Sequence, residues 1–167
     1  MGTLRLTLLR HAHAQPPTAG AEDFVRPLTA RGRAEATEMG KRLAQAGLVP
    51  DLILASSAQR TQMTVQLLAA ACSLSQGRIR YLDELYNATA RRIWETALSN
   101  AGKSAHLLVC GHNPGISRLA SGLGADPEAL DLPPAGLFTG LWHHDGWKSL
   151  RMAEATELQH LRPAAQR

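Results

Sequence analysis

The amino-acid sequence predicts an α/β fold: a three-layer α/β/α sandwich with a mostly parallel central sheet and a late antiparallel hairpin. Two observations carry that prediction. Short apolar runs suited to buried strands alternate with helical patterns, the order that builds a parallel sheet covered on both faces. Late in the chain, Asp145-Gly146 lies between GLFTGLWHH and WKSLRMAEA, a two-residue turn signal flanked by strand-like runs. No repeat, low-complexity tract or linker divides the 167 residues, so a single domain over 1–167 is expected.

RLTLLR, from Arg5, is a leucine-rich strand, followed by a loop through Pro16-Pro17 and Gly20 to Arg26-Pro27. Thr29 suits the N-cap of a helix ending near Gly47, with Ala36, Met39, Leu43 and Ala46 recurring every three or four residues along its apolar side. DLILAS (51–56) is a second strand, and Ser57 is placed to cap a helix running to about Cys72. RIRYL, from Arg78, reads as a third strand; ARRIWETALSNAG (90–102) is a helix with a glycine stop. HLLVCG (106–111) is a buried strand, and Asn113-Pro114 opens another helix with proline at its first position.

Composition narrows the function. Hydrophobic residues make up 44% and charged residues 19%, as expected of a soluble globular protein. No apolar run approaches the roughly 20 residues that span a bilayer, and no leader-like segment is evident, so no membrane partner and a cytoplasmic location are expected. Lys+Arg 18 against Asp+Glu 14 leaves a net charge of +4, which raises the question of nucleic acid. The basic residues are scattered apart from pairs such as Arg91-Arg92, and aromatics are only 4%, too few for base-stacking platforms; no nucleic-acid partner is expected. Cys72 and Cys110 sit in apolar surroundings without CxxC spacing and read as buried thiols in a reducing compartment.

Three polar pieces share one placement. Arg10-His11 follows the first strand, Ser56 to Arg60 the second, and Gly111-His112 the strand HLLVCG. In open α/β sheets the carboxyl ends of the strands form a common ligand-binding crevice. Arg60 falls in the first helical turn, where a cation opposes the positive end of the macrodipole at a cost of roughly a few tenths of a kcal/mol. A negative ligand would offset that cost, and free helix N–H groups beside an arginine fork suit phosphate oxygens. Arg10, Arg60 and these helix ends therefore describe a pocket for a tetrahedral oxyanion.

LLRHAHA resembles the RHG signature of the histidine phosphatase superfamily, and GHNPGIS resembles the segment carrying its second histidine. EDFVRPLTARG (22–32) and SSAQRTQMT are most similar to SixA-type phosphohistidine phosphatases. RH, RPLTxxG, SxxxRTxxT and GHNP in this order, spread over 4–119, form a specific set. The resemblance implies a phosphoglycerate mutase-like fold and a phosphatase that needs neither cofactor nor metal. His11 would be the nucleophile, one ring nitrogen unprotonated and the other held by an acceptor, most simply a backbone carbonyl. Arg10, Arg26 and Arg60 would bind the phosphoryl oxygens, and His112, as a cation, would donate to an equatorial oxygen. For the proton donor the resemblance offers Glu84 in YLDELYNA, Asp23 ahead of RPLT, or neither if the leaving group is an imidazole. Ala12 replaces the motif's glycine, so the backbone after His11 must keep an ordinary conformation.

Only one helix separates Glu84 from HLLVCG, leaving little room for a capping insertion; an open pocket suits a phosphorylated protein side chain such as phosphohistidine. The alternatives are a small-molecule phosphomonoesterase of the same superfamily and a non-catalytic phosphate- or nucleic-acid-binding module. Two histidines argue against the latter, because holding an anion needs arginines and no nucleophile. His13, His106, His143, His144 and His160 read as surface or structural residues. Met39, Met152, Trp94, Trp142 and Trp147 read as packing, and Glu35 and Glu38 with Arg31, Arg33, Lys41 and Arg42 as a solvated helix face.

Overall fold

The computed structural model describes residues 1–126 and 131–164. Its strands are β1 (Thr3–Arg10), β2 (Leu52–Ser56), β3 (Ile79–Leu82), β4 (His106–Gly111), β5 (Leu137–His143) and β6 (Thr156–Leu161), in one sheet ordered β3-β2-β4-β1-β5-β6. β3, β2, β4 and β1 are parallel; β5 runs antiparallel to β1, and β6 to β5. The helices are α1 (Ala30–Gln45), α2 (Gln59–Ala71), α3 (Ala90–Asn100) and α4 (Gly115–Gly122).

Side chains alternate across the pleat, so β4 serves two cores at once. Leu107 and Val109 pack with Ile93 and Trp94 of α3 and Ile116 and Leu119 of α4. Leu108 and Cys110 pack with Met39 and Leu43 of α1 and Val65 and Leu68 of α2. Both faces of the strand are covered, which is why it reads as a continuous apolar run. The three layers and the mainly parallel sheet are those the sequence predicts. Trp94, Trp142, Trp147 and Met39 are buried, Met152 packs against the core, and Cys72 and Cys110 are buried free thiols. Among the described residues no helix is long and apolar enough to cross a membrane.

Thr29 caps α1, its hydroxyl accepting the Gly32 N–H at 3.0 Å. Ala36, Met39 and Leu43 are buried as expected, but Ala46 is exposed, because the helix has ended at Gln45. Glu35 is not on a solvated face. It is 3% exposed, and its carboxylate accepts from Arg31 Nε at 2.8 Å and from the backbone N–H of His13 at 3.2 Å.

Two other starts differ from expectation. Ala58, not Ser57, precedes α2 as its N-cap, and the hydroxyl of Ser56 accepts the Ala58 N–H at 3.3 Å. At α4, Pro114 is the N-cap and not the first helical residue; Asn113 Oδ1 accepts from the Ser117 hydroxyl at 2.6 Å and its N–H at 3.3 Å. The late antiparallel pair is present, but WKSLRMAEA is not its second strand. After Asp145-Gly146 the chain enters two 3₁₀ turns, Trp147–Ser149 and Met152–Glu154, and returns only as β6. Trp147 accounts for the detour: it is buried, and its indole N–H donates to Ser104 O at 2.7 Å.

Candidate active site

Register fixes the site. Arg10 pairs with Gly111 across β1 and β4, and Ala55 with Cys110 across β2 and β4, so three strands end at one level. The residues that follow meet around a cavity of about 400 Å³, on whose wall stand Arg10, His11, Asp23, Arg26, Arg60 and His112.

His11 Nδ1 lies 2.8 Å from the carbonyl oxygen of Ala12. A carbonyl only accepts, so the proton is on Nδ1 and the lone pair on Nε2. Burial first, then the charges of Arg60, Arg10 and Arg26, lower the His11 pKa to about 4, which keeps the ring neutral near pH 7. The backbone at Ala12 stays outside the left-handed region, as a residue with a Cβ requires. Its N–H donates to Thr64 Oγ1 at 3.0 Å, and the Thr64 hydroxyl donates to Arg60 O at 2.7 Å, tying this loop to α2.

The His112 ring stands 5.3 Å from that of His11. Arg60 Nη2 is 3.1 Å from His112 Nδ1, and a guanidinium only donates, so Nδ1 accepts. The ring proton is then on Nε2, donated to Ser56 Oγ at 2.8 Å. Burial, with His11 and Arg60 beside it, pushes the His112 pKa down to about 3. The expected cation is therefore a neutral imidazole in this state: both nitrogens are engaged and the neighbouring guanidinium opposes a further proton.

The three arginines differ in how they are held. Arg10 Nη1 donates to Leu132 O at 2.9 Å. Arg26 gives Nε to Asp23 Oδ1 at 2.8 Å and Nη1 to Gln15 O at 2.6 Å. Arg60, only 3% exposed, gives Nη1 to Asp23 O at 2.9 Å and Nη2 to Asp23 Oδ2 at 3.0 Å. The Nε atoms of Arg10 and Arg60 are buried without any hydrogen-bond partner. An unmet buried donor costs about 1–3 kcal/mol, more when charged; three guanidinium groups around one cavity favour an anionic guest.

Comparison with known proteins agrees with this geometry. Residues 6–89 match the model of the histidine phosphatase superfamily, branch 1. An uncharacterized chloroplastic protein of Arabidopsis thaliana is 30% identical over 162 residues, covering 86% of this chain and 74% of its own. The chain belongs to the histidine phosphatase superfamily. Among solved structures, the SixA protein of Agrobacterium tumefaciens, assigned as a phosphohistidine phosphatase, superposes with a TM-score of 0.73 at 30% identity, covering 82% of this chain and 91% of that one. The SixA protein of Nakamurella multipartitia, assigned likewise, gives 0.79 at 29% identity over 99% of both chains.

The two expected proton donors of this histidine phosphatase stand differently. Asp23 reaches the cavity, but Tyr86 donates its hydroxyl to Oδ2 at 2.5 Å, Arg26 holds Oδ1 and Arg60 holds Oδ2. The Tyr86 hydrogen bond, followed by those of the arginines, drives the Asp23 carboxyl far below the usual carboxylate range. It is a fixed anion that orders two arginines. Glu84 is exposed on the 3₁₀ turn Asp83–Leu85 and does not line the cavity, because that turn directs the buried Leu85 inward instead.

The sequence reading missed several wall residues: His13, Ala14, Asn87, Asn113 and Pro134. Tyr86 was missed too, two positions from Glu84 in the same YLDELYNA stretch. Its ring stands edge-on to Phe24 at 5.1 Å and to His112 at 5.5 Å, with the Arg60 guanidinium 5.9 Å from its centroid. His13 carried a readable signal. In extended chain, positions i and i+2 share a side, and here His11 and His13 line the cavity while Ala12 between them is fully buried.

Proposed function

We propose that this histidine phosphatase hydrolyses phosphohistidine on a protein through a covalent phospho-His11 intermediate. The observation that carries the proposal is the meeting, around one cavity, of a neutral His11 whose Nε2 lone pair is free with the guanidinium groups of Arg10, Arg26 and Arg60. Nε2 attacks phosphorus, and Arg10, Arg26 and Arg60 offset charge on the phosphoryl oxygens as the bond to the leaving atom breaks. His112 borders the phosphoryl group and holds Arg60 Nη2 in place. Water then attacks phospho-His11 and releases phosphate. Apart from water, only groups of this chain take part. Similarity to SixA proteins supports a protein-borne substrate, and two buried unpaired thiols suit a reducing compartment such as the cytoplasm.

The test is acid- and alkali-quench trapping with a labelled phosphohistidine peptide. Wild type should yield an acid-labile, base-stable phosphoenzyme, and His11→Ala should yield none and turn over at least about a hundredfold more slowly. Comparable turnover by the two proteins would refute the proposal.

A further inference from the structure

Resting on that reading, we infer that His13 is the proton-transfer residue of the site and extends its chemistry from phosphoramidates to phosphate esters of ordinary alcohols. The cavity brings His13 to the same wall as His11, while Asp23 is tied to three partners and Glu84 lies outside. The His13 backbone N–H donates to Glu35 Oε2 at 3.2 Å, and its carbonyl accepts the Thr29 N–H at 3.0 Å. Gly32 lets helix α1 come that close, since a Cβ there would lie 2.0 Å from His13 O.

The Thr29 hydroxyl also anchors the ring. It accepts from Gly32 N–H at 3.0 Å and lies 2.8 Å from His13 Nδ1 and 3.2 Å from His13 O. Thr29 thus occupies Nδ1, and Nε2 is the ring nitrogen left to face a ligand. No other residue among those described makes a hydrogen bond to Nε2.

The steps balance. His11 Nε2 attacks phosphorus while the P–O bond breaks; the alkoxide oxygen takes the proton from Nε2 of protonated His13, leaving neutral His13 and phospho-His11. Water then attacks phosphorus, gives its proton to His13 Nε2, and the P–N bond returns its electron pair to His11. Phosphate leaves, and His13 is protonated again.

The experiment is a leaving-group series on the full chain: p-nitrophenyl phosphate, phenyl phosphate and glycerol phosphate, for wild type, His13→Asn and His13→Gln. Asparagine can keep the hydrogen bond to Thr29 but has no nitrogen at the Nε2 position. Losses in kcat/KM should grow with the basicity of the leaving group, from a small effect on p-nitrophenyl phosphate to about a hundredfold or more on glycerol phosphate. An equal loss on every substrate would make His13 structural and overturn the inference. So would undiminished glycerol phosphate turnover in the variants, or a wild type whose own rate collapses on that substrate. Phospho-His11 trapped from p-nitrophenyl phosphate reports separately on the nucleophile, so the two proposals fail independently.

Discussion

Tyr86 ties three parts of the site together with one hydroxyl and one ring. Its hydroxyl fixes the Asp23 carboxylate, which in turn holds Arg26 and Arg60, and its ring packs on His112. Tyr86→Phe keeps the ring and removes the hydrogen bond to the carboxylate. Hydrogen bonds to charged groups contribute about 1.5–3 kcal/mol, so the expected result is a roughly tenfold or larger rise in KM for p-nitrophenyl phosphate. Because the hydroxyl does not touch the reacting atoms, kcat should fall much less, and steady-state kinetics would show the split. Asp23→Asn should raise KM in the same way; a selective loss on poor leaving groups in that variant would instead restore Asp23 as the acid.

At the scale of elements, the site depends on how closely loops approach helix starts. Gly32 faces His13 O across the α1 terminus, and Gly115 at the start of α4 faces Ala88 O, where an added Cβ would again lie 2.0 Å away. Neither contact can be relieved by a rotamer change, because the neighbouring atoms are backbone. Gly32→Ala should cost roughly 1–3 kcal/mol or more in urea unfolding and lower activity by displacing His13. Unchanged stability in that variant would show that the loop after β1 has slack. The element pattern itself was largely readable from sequence: strand and helix bounds follow apolar periodicity and the Thr29 cap. The α2 cap and the second strand of the late pair were not, since the Ser56 hydroxyl is held by His112 and the path through Trp147 by Ser104, contacts remote in sequence.

For the molecule as a whole, burying imidazoles among arginines links stability to pH. Desolvation chiefly holds His11 and His106 at about 4 and His112 at about 3, against an ordinary value of 6.5. Between those values the unfolded chain binds protons that the folded protein refuses, so stability is full above about pH 6.5 and is lost as pH falls through the folded values. At about 1.4 kcal/mol per pH unit and group, each ring loses up to about 3 kcal/mol of stability on going from pH 7 to pH 4. Thermal melts should show the midpoint dropping across this interval; a midpoint flat from pH 7 to pH 4 would mean these rings titrate normally. By itself the sequence determined the layered architecture and the meeting of Arg10, His11, Arg60 and His112, because periodicity and strand-end position are local properties of the chain; Arg26 entered through the family resemblance of the RPLT stretch. Only the tertiary structure decided the protonation states of His11 and His112, the burial of Glu35, the roles left to Asp23 and Glu84, and the entry of Tyr86. Each of these depends on which groups from distant segments share a desolvated space, and no spacing along the chain encodes that distance.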